Sequence, residues 1–157
     1  MRKHLFVRGV SSDGRFLCNT GLVETQLWYA TLIKPAWAPP AWLFSPVWAI
    51  LYAIIAISFG FVFYKAFRRE LPLSVAVPFA LNLVFNFAFS PIQFGLQNNL
   101  LAAADIVLVL ATLIWAFTLR SALREAGLIW VLYANIPYLL WVSFATILQF
   151  TITYLNW

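Results

Sequence analysis

The densest group of chemically informative residues lies between positions 28 and 42, where tryptophan, tyrosine and proline are concentrated. Pro35, Pro39 and Pro40 stiffen the backbone and exclude a regular helix. Tryptophan and tyrosine suit the membrane–water interface because their rings are apolar and their tips are polar. The stretch is therefore either an aromatic belt that anchors the next helix or a rigid lid over a pocket, and the residues alone favour the belt.

Four polar side chains follow at helical spacing further along the chain, namely Asn82, Asn86, Ser90 and Gln93. Intervals of four, four and three residues place them on one face of a helix. Because an unpaired amide is costly in hydrocarbon, this face is predicted to point into a helix bundle. Two interpretations stay open, which are hydrogen bonding between helices and the polar wall of a ligand cavity.

Asp105 is the only acidic residue inside a long apolar stretch. An ionisable residue within the membrane indicates a functional site by default. Asp105 also falls near a predicted helix start, where the helix dipole favours a carboxylate, and Asn98 and Asn99 are close enough to donate hydrogen bonds to it. The structural interpretation is favoured.

Large aromatic rings recur along the apolar stretches, where most are expected to pack or to anchor the chain at the interface. Some could line an apolar site for a flat ligand, because rings stack on conjugated systems. The residues concerned are Trp48, Tyr52, Trp115, Trp130, Tyr133, Tyr138 and Trp141.

Conventional catalytic and metal-binding groups are scarce. His4 is the only histidine and Cys18 the only cysteine, and no hydrolase triad, phosphate loop or paired-carboxylate pattern is present. The sequence therefore predicts no metal site. It leaves open whether the protein is an enzyme.

The elements that must position these residues are membrane-spanning helices. Hydrophobic residues make up 64% of the chain and charged residues only 10%, against about 25% charged residues in a soluble domain. Four stretches are apolar over the roughly 20 residues that a span needs, and the short connections between them predict an up-down bundle. They are residues 43–64, 73–94, 100–119 and 128–155.

Prolines and small residues modify these spans. Pro78 and Pro137 each remove one backbone hydrogen bond and are predicted to bend their helices. Small residues recur in the first span, and they allow close helix packing either within the bundle or in a dimer. These small residues are Ala49, Ala53, Ala56 and Gly60.

Residues 1–27 are predicted to form a polar arm, and residues 28–157 to form the membrane domain. Residues 1–20 are not expected to span, because central charges cost about 2.5–3.5 kcal/mol each. With four spans, both termini would lie on the same side. The charged residues of this segment are Arg2, Lys3, Arg8, Asp13 and Arg15.

The basic residues next to the spans indicate an orientation. Lysines and arginines concentrate in residues 65–70 and 120–125, so these loops are predicted to face the cytoplasm. The net charge of +5 fits membrane topology and lipid contact better than nucleic-acid binding, because no long basic patch is present to neutralise phosphates.

The sequence resembles the TspO/MBR family, also called translocator protein or peripheral-type benzodiazepine receptor, over roughly residues 21–157. The most specific motifs are Trp28-Tyr29, Lys34-Pro35, Trp37, Pro39-Pro40 and Pro46-Val47-Trp48. Further matches are Leu81-Asn82 with Asn86 and Phe89-Ser90, Asn98-Asn99 with Asp105, and Pro137-Tyr138 with Trp141 and Ala145-Thr146.

The resemblance implies a bundle of five helices, often a homodimer, with a pocket under the loop rich in tryptophan and proline. It implies ligands such as porphyrins or heme, cholesterol-like lipids and benzodiazepine-type drugs, and it favours the lid interpretation of residues 28–42. Asn82 would support the pocket. By position, the ligand-binding residues would be Tyr29, Pro39, Trp48, Tyr52, Asn86, Phe89, Trp141, Ala145 and Leu148.

Two features depart from the family pattern. The family has a helix before its Trp-Tyr motif, whereas residues 1–20 do not read as one. A cholesterol motif proposed for some members needs a basic residue after a tyrosine near the C-terminus, but Leu155, Asn156 and Trp157 follow Tyr154. A sterol is therefore a further partner implied by the resemblance but unsupported by that motif.

The expected protein is a multi-pass membrane protein, in the cell membrane of a prokaryote or otherwise in an organelle membrane. It is expected to bind tetrapyrroles or similar flat apolar molecules, with a transport-linked or stress-regulatory role. One alternative, implied by the resemblance, is light- and oxygen-dependent porphyrin breakdown involving Trp48 and Trp141. Another is a structural membrane protein that binds no ligand.

Overall fold

The computed structural model describes residues 28–157, and the regular structure within that range is helical. The chain divides into two compact units, one ending at Leu32 and the other covering Ile33–Trp157. In the first unit, residues 28–31 form a helical turn in which Thr31 Oγ1 donates to the Trp28 carbonyl at 2.7 Å. The second unit contains α1 (Ala41–Phe67), α2 (Leu73–Ser90) with a wider π-helical turn (Pro91–Gly95), α3 (Asn99–Thr118), α4 (Arg120–Glu125), α5 (Ile129–Ala134) and α6 (Ile136–Leu155).

Four of these described helical segments are long and apolar enough to cross a membrane, with 27, 23, 20 and 20 residues. At about 1.5 Å per residue, each matches or exceeds a hydrocarbon core of about 30 Å. The predicted all-α integral membrane bundle with four clear spans is therefore confirmed. Many large apolar side chains, such as Phe87 and Ile147, are exposed on the outside, where lipid rather than water is the solvent.

The helices pack as neighbours in an up-down arrangement, with α3 lying between α2 and α6, and with α1 against α2 and α5. A T-shaped contact between Phe59 of α1 and Phe79 of α2, with 4.9 Å between ring centroids, lies in the apolar core. The core therefore follows the inner faces of the four long helices.

The fourth predicted span was too long, because the helix is interrupted at Asn135, between α5 and α6. Pro137 has no N–H to donate to the carbonyl four residues earlier, so the regular ladder fails here. Asn135 makes side-chain bonds at this break, where its Nδ2 donates to Ser58 Oγ of α1 and to the Val131 carbonyl, each at 2.8 Å. By contrast, α2 continues through Pro78, which lies in its second turn.

The small residues of α1 do not mediate packing within the described bundle. Ala49, Ala53, Ala56 and Gly60 are all exposed, and the buried face of α1 is formed by larger residues such as Leu51 and Phe59. Packing in a dimer stays a prediction.

Two loops that the sequence places on one side of the membrane do lie at the same end of the bundle. Lys65 Nζ donates to the Ala126 carbonyl at 2.9 Å, which joins the end of α1 to the segment after α4. At the opposite end, the backbone N–H and carbonyl of Ile33 both bond to the Asn156 side chain at 2.9 Å. Which end faces the cytoplasm stays a prediction.

Candidate ligand-binding site

A buried chain of hydrogen bonds crosses the middle of the bundle. Tyr52 Oη of α1 donates to Asn86 Oδ1 at 2.8 Å, and Asn86 Nδ2 donates to Tyr138 Oη of α6 at 2.7 Å. Tyr138 Oη in turn donates to Asn82 Oδ1 at 3.0 Å. Asn82, Asn86 and Tyr138 are 1%, 4% and 0% exposed, so water does not compete for these bonds.

The chain ends on α3, where Asn82 Nδ2 donates to the Val109 carbonyl at 2.9 Å and to Thr112 Oγ1 at 3.2 Å. The four-residue spacing of the two asparagines places both amides on the inner face of α2. Every side-chain oxygen and nitrogen of this pair has a partner. We call this cluster the amide–tyrosine network; its members are Tyr52, Asn82, Asn86, Thr112 and Tyr138.

An aromatic cage is built directly on the network. The ring of Trp48 stacks on Tyr52, with 5.2 Å between centroids and 30° between planes, and meets Tyr138 edge-on at 6.4 Å. Tyr52 also stacks on Phe87 at 6.0 Å. The hydrogen bonds that fix Tyr52 and Tyr138 therefore also fix the two rings that flank Trp48.

A second aromatic surface lies between α1 and α6. An open groove of about 440 Å³ runs there, a volume within the range of about 300–1,000 Å³ typical of small-molecule sites. We call it the aromatic groove. Its lining is almost entirely apolar and comprises Val47, Ile50, Leu51, Pro137, Leu140, Trp141 and Phe144.

Ring contacts connect this groove to the loop before α1. Trp141 meets Phe44 edge-on at 5.8 Å and lies 5.7 Å from Phe144. Trp37, in the proline-rich loop, meets Phe144 edge-on at 5.8 Å. The Trp141 Nε1 atom is buried and has no hydrogen-bond partner within the described part of the chain. The loop thus contributes a ring at the groove, as a lid would.

Comparison with known proteins gives a consistent result for this arrangement of helices and rings. The model of the TspO/MBR family matches residues 14–155. The chain belongs to the TspO/MBR family. The match begins within the segment predicted as a polar arm, and that prediction lies outside the described residues.

Similar proteins are found in bacteria and in animals. The chain is 38% identical to the tryptophan-rich protein TspO of Chlorobaculum tepidum over 82% of this chain and 79% of that protein. It is 34% identical to the protein CrtK of Rhodobacter capsulatus, over 82% and 78% of the two chains. It is also 34% identical to the human translocator protein, over 92% and 81%.

In this TspO/MBR member, a second polar layer lies near the start of α3. Gln93 Nε2 donates to Asn99 Oδ1 at 3.1 Å, and Gln149 Nε2 donates to Gln93 Oε1 at 3.0 Å. Thr153 Oγ1 donates to the Asn99 carbonyl at 3.0 Å. This layer also binds helices to one another, and it explains why Gln93 is only 1% exposed.

Ser90 does not share the buried face predicted for it, because its side chain is exposed. Two steps of four residues rotate a helix position by about 80° in total, which moves Ser90 away from the direction of Asn82. The wider π-helical turn at Pro91–Gly95 then turns Gln93 back into the bundle.

Asp105 is buried, as a residue on the inner face of α3, but the predicted hydrogen bonds from Asn98 and Asn99 are wrong. Asn98 caps α3 by accepting from the Leu101 N–H at 3.0 Å, and Asn99 accepts from Gln93. The Oδ2 atom of Asp105 has no partner among the described residues.

The structure brings only part of the predicted ligand set together. Trp48, Tyr52, Asn82 and Asn86 are contiguous, whereas Trp141 lines the aromatic groove. The remaining predicted residues occupy other positions: Phe89 and Ala145 are half-buried against the core, Leu148 is buried, and Pro39 is half-buried in the loop. Tyr29 belongs to the first unit, where burial raises the pKa of its phenol above the ordinary value of 10.0.

Tyr138 is the residue that sequence reasoning undervalued. The sequence predicts for it a role in packing, anchoring or lining an apolar site, whereas in the structure it is the member of the network that joins Asn82 to Asn86. Its hydroxyl could have indicated this role, because a tyrosine in the middle of a span needs a polar partner. The asparagines on the inner face of α2 are the polar groups that it bonds to.

Proposed function

We propose that this protein binds tetrapyrroles or similar flat apolar molecules at the aromatic groove and the neighbouring Trp48 cage, in a transport-linked or stress-regulatory role. The observation that carries the proposal is the apolar groove, which presents the rings of Trp141 and Phe144 and has Trp37 of the proline-rich loop in contact with Phe144. Ring faces stack on conjugated systems, and the gain exceeds simple area burial. The groove opens toward lipid, which is the phase in which such a ligand dissolves.

The amides support this assignment indirectly. Asn82 and Asn86 stay predicted ligand-site residues, but their side-chain groups are already used within the network. In this conformation, ligand selection falls to ring faces, and the asparagines hold the cage in shape. Light- and oxygen-dependent porphyrin breakdown stays an alternative prediction. Its first test would be a substitution of Trp48, whose ring contacts the phenol rings of Tyr52 and Tyr138.

The test is a titration of protoporphyrin into the protein in lipid nanodiscs, followed by the shift of the porphyrin absorbance band against protein-free nanodiscs. Trp48→Ala and Trp141→Ala should each weaken saturable binding about tenfold, since each removes one or two ring contacts worth roughly 0.5–1.5 kcal/mol.

Trp130→Ala is the matched control, because Trp130 is a partly exposed ring whose described contact is with Phe61, away from the groove. It should leave binding unchanged. An absorbance change no larger than that of protein-free nanodiscs would remove the proposal, as would an equal loss in all three variants.

A further inference from the structure

The charged end of the bundle carries more positive charge than its own acids neutralise. Residues 65–70 and 120–125 hold five basic residues against two acidic ones, a net of three positive charges. The two segments lie side by side, since Lys65 Nζ donates to the Ala126 carbonyl. We call this surface the basic end.

The ion pairs at the basic end are concentrated on one acid. Glu70 accepts from Arg68 Nε at 3.0 Å and lies 3.6 Å from Lys65 Nζ. Arg68 is held further by the Tyr64 ring, with 5.6 Å between the guanidinium carbon and the ring centroid. Lys65 and Arg68 are therefore committed to contacts within the protein.

Three arginines at the basic end differ from Lys65 and Arg68 in their contacts. Arg69, Arg120 and Arg124 are exposed, and none makes an ion pair within the described residues. Arg120 and Arg124 are four residues apart on α4, so they share one face of that helix. The adjacent Leu123 is fully buried, which fixes the direction in which α4 presents its polar face.

Arg69 occupies a backbone conformation that is unfavourable for a residue with a side chain. Helix α1 ends with Glu70 N bonded to the Lys65 carbonyl and Arg69 N bonded to the Ala66 carbonyl, a Schellman motif that requires a left-handed residue, usually glycine. Arg69 occupies that position with φ 59°. In a residue with a Cβ this conformation is disfavoured.

The end of α4 provides an internal reference. Leu128 N bonds to the Leu123 carbonyl and Gly127 N to the Arg124 carbonyl, which is the same motif with Gly127 at φ 70°. Two equivalent helix ends at one end of the bundle thus differ in the residue at the left-handed position, and α1 has there an arginine that forms no ion pair with the residues that the structure describes.

We propose that Arg69, Arg120 and Arg124 bind the phosphate groups of anionic phospholipids in the surrounding leaflet. Guanidinium groups match phosphate oxygens in bidentate geometry, and basic residues just outside a span are at the depth of the headgroups. The surface fits a lipid rather than a soluble anion because Arg69 lies two residues after the end of the span α1 and Arg120 two residues after the end of the span α3, which places both beside the bilayer surface.

The experiment measures the enrichment of phosphatidylglycerol over phosphatidylcholine among lipids that stay bound when the protein is released from mixed nanodiscs, by native mass spectrometry. The variant R69Q/R120Q/R124Q should reduce this enrichment at least tenfold, given about fivefold per basic residue near the surface. High salt should reduce it in the wild type. K34Q, which removes one charge at the opposite end, is the control and should change nothing.

Arg69→Gly separates binding from folding, since glycine relieves the left-handed strain while removing the charge. It should raise the thermal midpoint and still lower the enrichment several-fold. Unchanged enrichment in the triple variant, or an equal loss in K34Q, would overturn the proposal. So would a stabilisation by inorganic phosphate in pure phosphatidylcholine nanodiscs that equals the effect of phosphatidylglycerol, because the site would then serve a soluble anion.

Discussion

Tyr138 and Trp141 lie three residues apart on α6, yet they belong to regions of opposite character. The Tyr138 hydroxyl takes part in two hydrogen bonds and its side chain is 0% exposed, whereas the Trp141 Nε1 has no hydrogen-bond partner among residues 28–157 and its ring lines an open groove. Three residues correspond to about 60° around a helix, so on two neighbouring faces of α6 one ring is fixed by directional hydrogen bonds and the other by ring contacts. The difference separates a part that sets the bundle geometry from a part that can adapt to a ligand.

This division has a physical basis in the membrane. Between helices in lipid, apolar packing brings little hydrophobic driving force, so interhelical hydrogen bonds and close packing specify the arrangement. The amide–tyrosine network supplies such bonds among α1, α2, α3 and α6. The aromatic groove can therefore stay open without loss of the fold, since exposing apolar side chains to lipid costs little.

Among these tests, Asn82→Leu is expected to cause the largest loss of stability. The change removes three hydrogen bonds and leaves the Tyr138 hydroxyl without its acceptor. At roughly 0.6 kcal/mol for an average interhelical bond and up to about 1.7, stability should fall by roughly 2 kcal/mol. The measurement is unfolding of the protein in mixed micelles by a denaturing detergent.

Thr151→Val is the control for that measurement, because the half-buried Thr151 makes a single side-chain hydrogen bond within the described residues, to the Ile147 carbonyl of its own helix. It should leave stability unchanged. If Asn82→Leu also left stability unchanged, the network would be incidental to the fold, and the contrast between Tyr138 and Trp141 would have no structural basis.

The next effect is in the groove, where Phe144→Ala should weaken porphyrin binding and spare stability. Phe144 lines the groove beside Trp141, and one lost ring contact with the porphyrin costs roughly 0.5–1.5 kcal/mol, so the dissociation constant should rise about fivefold. Phe150→Ala, at an exposed position on the same helix, should leave it unchanged. A fall in stability as large as that of Asn82→Leu would instead make the groove part of the structural core.

The sequence was sufficient to predict the four spans and the inward amide face, because both depend on transfer free energies that act over many residues. It was insufficient for the break at Asn135, which needed the combined effect of Pro137 and a side chain that bonds to Ser58. It also misplaced Ser90, which the rotation accumulated along α2 turns away from Asn82, and the partners of Asp105, since the π-helical turn at Pro91–Gly95 precedes the segment that carries Asn98 and Asn99.

The division between cage and groove was equally out of reach. The ligand-site residues inferred from the family resemblance include Trp48 and Trp141 without distinguishing their surroundings. Helices that are apolar on nearly every face give little indication of which ring turns toward a neighbour and which toward lipid. Only the rotation of α1 and α6 about their axes places Trp48 against Tyr138 and Trp141 beside the groove.

The smallest loss of stability is expected for a change at the α3 end of the network, where Asn82 has two alternative acceptors. Asn82 Nδ2 donates to both the Val109 carbonyl at 2.9 Å and Thr112 Oγ1 at 3.2 Å, so the carbonyl can hold the amide when the hydroxyl is removed. Thr112→Val keeps the shape and should therefore cost no more than about 0.6 kcal/mol. A double-mutant cycle with Asn82→Leu measures the coupling directly. A small coupling would mean that the Val109 carbonyl positions Asn82, so that α2 is held against α3 by a backbone group rather than by a side chain. A coupling near the full effect of Asn82→Leu would reverse that assignment and make Thr112 the anchor of the network.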